Sequence, residues 1–189
     1  AIVDVAVPAR EREDLEVVVR DQTKDLVTWR RRTPTEASAP ASEPAPPSEI
    51  DSVEELYLVG LHLQQYRHAT RSPEPYWHEA LRRDPGHAPT CVALAGRRLR
   101  ASRYGEAERL LRTAVARLTT LNPNPADCTA LYRLGLVQLR AGRADEAYDA
   151  FGRASWDRAW RSPAGFQMAL IDAAAGRSAS ALERLEDVL

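Results

Sequence analysis

From residue 53 to the end of the chain, apolar residues recur at spacings of three and four, which places them along one face of successive helices. Leu56, Val59, Gly60 and Leu63 mark a first helix. Tyr76, Trp77, Ala80, Leu81 and Pro85 mark a second, joined to the first by a loop through Ser72-Pro73-Glu74-Pro75. The series opens at Asp51-Ser52, where either side chain can cap free helix amides, and Glu54 and Glu55 sit at the positive end of the helix dipole.

The first 32 residues have a different pattern. Residues 2–7, 15–19 and 26–29 are short, rich in β-branched residues and separated by charged or turn-forming positions, which predicts two or three strands. So small a hairpin or meander buries too little surface to stand alone, and is expected to be the remnant of an upstream β-domain or to pack on the helices. Pro34, Pro40, Pro44, Pro46 and Pro47 lie among Ala, Ser and Glu, so 33–50 reads as an extended linker. The predicted organisation is therefore 1–32 β segment, 33–50 linker and 51–189 helical array.

The array repeats itself. Its clearest unit runs Leu131-Tyr132-Arg133-Leu134-Gly135, then Leu139, Gly142, Ala147, Phe151 and Ala154. Met168-Ala169, Gly176, Ala181, Leu185 and Val188 occupy the same slots one unit later, and Leu94-Ala95, Tyr104, Ala107, Leu111 and Ala114 one unit earlier. Two helices approach closely only where a small residue faces the neighbour, and a large one such as Phe151 or Leu111 fills the adjoining gap. With its Leu-small pair, loop Gly and A-x3-F-x2-A run, the unit resembles the tetratricopeptide repeat (TPR). The resemblance implies a mostly α fold: a right-handed solenoid of about four helical hairpins (52–86, 87–126, 127–160, 161–189) behind a small N-terminal β segment. Asn122-Pro123-Asn124-Pro125 lengthens one junction without breaking the period.

Beyond the generic repeat, Ser52-Val53-Glu54-Glu55-Leu56-Tyr57, the run from Tyr66 to Arg71, the run from Tyr76 to Gly86, and Asp145-Glu146-Ala147-Tyr148-Asp149-Ala150-Phe151 are similar to a family of large bacterial proteins. In that family a mutarotase-like β-sandwich domain of unknown function precedes a Pro-rich joint and TPR repeats. The resemblance implies that the N-terminal strands are the tail of such a sandwich, and it adds a carbohydrate association without any catalytic residue to carry over.

A TPR array lines its concave groove with the first helix of each hairpin. The register then puts Tyr57, Leu61, Gln64, Gln65, Val92, Arg100, Tyr132, Leu136, Arg140, Phe166 and Leu170 toward a ligand, a mixture of aromatic and arginine side chains suited to interface anchors. Arg100 and Arg140 hold equivalent slots and could grip a carboxylate together, while a solvated rim is their plainer reading. Chaperone-binding TPRs use a Lys/Asn clamp. Here Tyr57 and Leu61, or Val92 and Gly96, stand in those slots.

Composition adds mainly exclusions. The 189 residues carry 26 basic and 27 acidic side chains, a formal charge of −1, so no field favours a nucleic-acid or membrane partner. Apolar runs are too short to span a bilayer. Basic residues are nearly all Arg, with Lys24 the single lysine, a bias typical of GC-rich bacterial genomes. No basic-then-apolar segment opens the chain, so a cytoplasmic location is expected; Ala1 in place of Met points to a removed N-terminus. Cys91 and Cys128 read as buried, reduced thiols. His62, His68, His78 and His87 lack ligand spacing, so no metal is expected. Nothing sets Glu54, Glu55, Glu74, Glu79 or Asp84 as an acid–base pair, and no cofactor motif occurs. Trp77, Trp156, Trp160 and Tyr76 are either junction packing or a sugar platform, which exposure distinguishes.

The expectation is a non-catalytic scaffold that binds a protein or peptide segment, or its own upstream β-domain, in the groove. The alternative is an accessory C-terminal module of a carbohydrate-active protein. The chain ends inside a helix with Leu182, Leu185, Val188 and Leu189 toward an uncapped end, which suggests a truncated array or a homodimer through that end.

Overall fold

The computed structural model describes residues 16–30, 43–66 and 70–188, and the chain divides into two compact units, Ala1–Glu43 and Pro44–Leu189. The predicted strand at 2–7, residues 33–42 of the Pro-rich stretch, and His68 lie outside the described residues.

In the first unit, β1 (Glu16–Asp21) and β2 (Lys24–Arg30) form an antiparallel hairpin with Asp21 opposite Lys24 and Val17 opposite Trp29. Gln22, at φ 50°, supplies the left-handed residue that a two-residue connection needs. Arg20 pairs with Asp25, and Arg30 with Glu16 at 3.1 Å. Every residue of both strands is exposed, as expected for a hairpin too small to build a core.

The second unit is helical. Its elements are α1 (Val53–Gln65), α2 (Glu74–Arg83), α3 (Ala88–Arg100), α4 (Tyr104–Leu118), α5 (Thr129–Arg140), α6 (Ala144–Ala154), α7 (Arg158–Ala174) and α8 (Ser178–Val188). They pack as the hairpins α1/α2, α3/α4, α5/α6 and α7/α8. Each second helix also packs on the next first helix, and α1, α3, α5 and α7 touch in series. Ser52 caps α1, its Oγ accepting from the Glu55 amide at 3.3 Å.

Small-to-large pairing closes the first and third hairpins. A side-chain carbon on Gly60 would stand 2.7 Å from Trp77 Cδ1, and one on Gly135 2.7 Å from Phe151 Cε1. The rings therefore lie directly on helix backbone, and Trp77 and Phe151 are completely buried. In the second hairpin the equivalent positions hold Ala95 and Leu111, a small residue and a large one that share one core cluster. Trp77 also donates from Nε1 to the Tyr57 carbonyl at 3.2 Å, which satisfies its buried polar atom.

The first helices α3, α5 and α7 stop in the same way. Ser102, Gly142 and Gly176 follow their ends at φ 58°, 76° and 77°. The next amides, of Arg103, Arg143 and Arg177, donate back to the carbonyls of Arg98, Gln138 and Asp172 at 2.8, 2.9 and 2.8 Å, a Schellman closure. Only Ser102 occupies this left-handed slot with a side chain. Ser102→Gly is therefore expected to raise stability by about 0.5–1 kcal/mol, and Gly142→Ala to lower it by about 1–2 kcal/mol, read as shifts in urea midpoint.

The end of the Pro-rich stretch docks on the first hairpin. Tyr76 Oη donates to the Ala45 carbonyl at 3.0 Å, and Arg83 Nη1 donates to the carbonyls of Ile50 and Asp51 at 2.6 and 2.8 Å. Ile50 is buried with Leu56, Leu63, Tyr76 and Ala80. Prolines cannot form a ladder, so side chains on α2 take up the free carbonyls instead. Among the described residues, no helix is long and apolar enough to cross a membrane.

Candidate binding groove

The series of first helices creates a cavity of about 360 Å³ with walls from α1, α3 and α5. Tyr57, Leu61 and Gln64 enter it from α1, and Val92 and Arg100 from α3. Pro89, Ala93 and Leu118 add apolar wall, while Asp127 closes it ahead of α5. The contribution of α5 is Thr129, Ala130 and Arg133.

The other expected groove residues lie elsewhere. Gln65 and Arg140 are exposed outside this lining, and Phe166 is 47% exposed on α7. Tyr132 stacks on Trp160 with ring centroids 4.4 Å apart and tilts against Phe151 at 5.5 Å, so it joins α5 to α6 and α7. Arg100 is thus brought together with Arg133 in this cavity, and Arg140 is not part of its wall.

Arg133 stands outside the set that the repeat period picks out, because its position does not recur. The equivalent residues in the other repeats are Leu58, Ala93 and Gln167, so the period carries no signal there. The one available clue was Gly96, an uncapped glycine in the middle of a helix that a stronger helix former would be expected to occupy.

The geometry around Gly96 explains that glycine. A side-chain carbon there would stand 2.8 Å from Arg133 Nη1 and 3.7 Å from Arg100 Nη1, so its absence makes room for both guanidinium groups. Arg133 Nη1 donates to the Val92 carbonyl at 2.7 Å, and Arg100 Nη2 to Gln64 Oε1 at 3.2 Å. Burial, and then the charge of Arg100, push the Arg133 guanidinium below its usual pKa, against opposing pulls from Asp127 and Tyr57. Burial also raises the Tyr57 phenol, with Glu54 and Asp127 adding to it. Asp127 is engaged by the Thr129 amide at 2.8 Å and by its hydroxyl. Among the described residues no carboxylate forms an ion pair with Arg100 or Arg133; their hydrogen bonds go to neutral acceptors.

The remaining candidates are mostly engaged in structure. Trp77 and Tyr76 are buried and Trp160 is stacked, which leaves Trp156, 73% exposed, as the open member of the set. Glu74 is held by Arg97 and Arg98 at 2.8 and 3.1 Å, linking α2 to α3. Arg82 and Arg83, each 2.7 Å away, hold Glu79 down to about 2. Asp84 accepts from the Gly86 amide at 2.9 Å. Glu54 reaches His87 Nε2 at 3.2 Å, while His87 Nδ1 meets Thr90 Oγ1 at 2.7 Å. His62 lies against the Tyr66 ring at 4.6 Å, and His78 is 3.9 Å from Glu74. No His, Cys, Asp and Glu group of metal-binding form occurs among the described residues. Cys91 and Cys128 are free and buried, and desolvation raises both thiols, Cys91 to about 11.

No protein-family model matches the chain. Solved structures do. A crystal structure of MamA superposes with a TM-score of 0.62 at 18% identity, covering 75% of this chain and 78% of that one. MamA 41-end from Desulfovibrio magneticus RS-1 gives 0.58 at 20% identity over 72% and 73%, and MamA AMB-1 gives 0.57 at 21% over 72% and 71%. At these identities the likeness concerns fold, and it lends no support to the carbohydrate-module alternative. MamA is a tetratricopeptide-repeat protein, and with its successive hairpins α1/α2, α3/α4, α5/α6 and α7/α8, Pro44–Leu189 is a TPR-type helical array.

Proposed function

We propose that the array is a protein-interaction scaffold that holds an extended protein or peptide segment along its first helices. The observation that carries this reading is the cavity between α1, α3 and α5, where apolar wall from Leu61, Pro89, Val92 and Ala93 adjoins the polar ends of Tyr57, Gln64, Arg100 and Arg133. Apolar area beside a few placed donors suits a peptide, whose side chains fill the floor while its backbone and charged groups need partners. Gln65, Arg140 and Phe166 are assigned to flanking contacts, and Tyr132 to supporting the wall through Trp160. The likeness to MamA supports the scaffold class through the fold alone. The reading also takes in the resemblance-based upstream β-domain as the body to which the array is attached.

Selection from a random peptide library displayed on phage, followed by anisotropy titrations of the enriched peptides, tests this. Tyr57→Ala and Val92→Glu are expected to weaken binding tenfold or more, about 1.4 kcal/mol, with Arg109→Ala on α4 as the unaffected control. Failure to enrich any peptide, or equal affinity in the groove variants, rejects the reading.

A further inference from the structure

The groove holds one feature that general peptide binding does not require. Two guanidinium groups converge beside Gly96, and Asp127 is the single acid in the same wall, already bonded to Thr129. The lining therefore carries two fixed positive charges and one negative. Bringing like charges together in a partly dry cavity is unfavourable unless an anion neutralises them. Arginine presents planar paired donors that match a carboxylate, and the neighbouring Gln64 amide and Tyr57 hydroxyl can extend such a contact.

Resting on the groove reading above, we infer that Arg100 and Arg133, brought together over Gly96, form a subsite for one carboxylate of the bound segment. That carboxylate is either the C-terminal group of the segment or an Asp/Glu side chain. Gly96 is the residue that sets this specificity. Any side chain there displaces Arg133 Nη1, the far end of a flexible arm, so the cost falls on the cradle and the helix is spared. Alanine is in fact the better helix former.

The test uses the whole chain with arginine side chains labelled for Nε–Hε NMR. Titration with sodium acetate, against sodium chloride at equal ionic strength, should shift the Arg100 and Arg133 signals saturably with acetate alone. In Gly96→Ala, with the helical circular dichroism retained, the acetate response should weaken about tenfold. Arg133→Gln is a second variant expected to abolish the response at Arg100. Matched peptides from the selection then assign the source: a free C-terminus against its amide, and an internal Glu against Gln. Loss of about tenfold on either neutralisation supports the subsite and names its source. No acetate-specific shift, an unchanged response in Gly96→Ala, or indifference to both neutralisations overturns it. Indifference by peptides that still need Tyr57 and Val92 leaves the groove reading standing, and acetate binding without any captured peptide defeats the groove reading alone.

Discussion

Gly135→Ala is expected to destabilise the array by about 1–3 kcal/mol, although alanine is the stronger helix former by about 0.8–1.0 kcal/mol. The new methyl would meet the Phe151 ring at 2.7 Å, and that ring is fully buried between α5, α6 and α7 with no free direction to move. Phe151→Leu alone is expected to cost about 1–2 kcal/mol through the space it leaves. The second hairpin carries the alternative combination, with Ala95 and Leu111 at the equivalent positions in one core cluster. The double variant Gly135→Ala/Phe151→Leu should therefore recover most of the loss, with a coupling of at least about 1 kcal/mol. Urea denaturation of the four proteins measures it, and additive effects would show that the seam is not a matched pair.

Asp172→Ala is the other large effect, with an expected loss of about 2–3 kcal/mol at neutral pH. Asp172 is 1% exposed and accepts from Arg177 Nε at 2.8 Å, Arg184 Nε at 2.9 Å and Tyr148 Oη at 3.2 Å, fastening α7 to α8 and α6. Both arginines are partly in solvent, which holds the figure below that of a fully buried triad. Burial pushes the Asp172 carboxyl up, but the hydrogen bonds from Arg177 and Arg184, with Tyr148, bring it net below its ordinary value of 3.8. A folded-state pKa below the unfolded one means that the contribution is complete above 3.8 and disappears as the pH falls through the folded value. The gap in urea midpoint between the natural chain and Asp172→Ala should thus be widest near neutrality and close in acid. A gap that persists unchanged at about pH 2 would be incompatible with an ionised hub.

This hub belongs to a slot that the repeat pattern left unread. Arg98, Gln138 and Asp172 stand one period apart and each receives the Schellman amide of its own repeat. Arg98 pairs with Glu74 and Glu106, Gln138 with Glu146, and Asp172 with Arg177 and Arg184. The slot is always polar and largely buried, but its chemistry changes with the partner on the second helix. Periodicity finds positions that repeat in character, whereas a polar contact can be met by different charges at different distances along the chain.

The sequence by itself determined the helices, their hairpin pairing, the recurrence of a small residue at Gly60, Ala95, Gly135 and Ala169, and the strand character of the N-terminal segment. These follow from local spacing, because every hairpin must bury one apolar face on its immediate neighbours. Tertiary structure alone decided which first-helix side chains share one cavity. A helix turns 100° per residue, so small rotations in packing placed Arg133 in the wall, set Tyr132 against Trp160 and left Arg140 outside. It also decided that the Pro-rich segment from Pro44 docks on α2. That contact joins residues more than thirty positions apart, and no local pattern records which distant arginine will meet a free carbonyl.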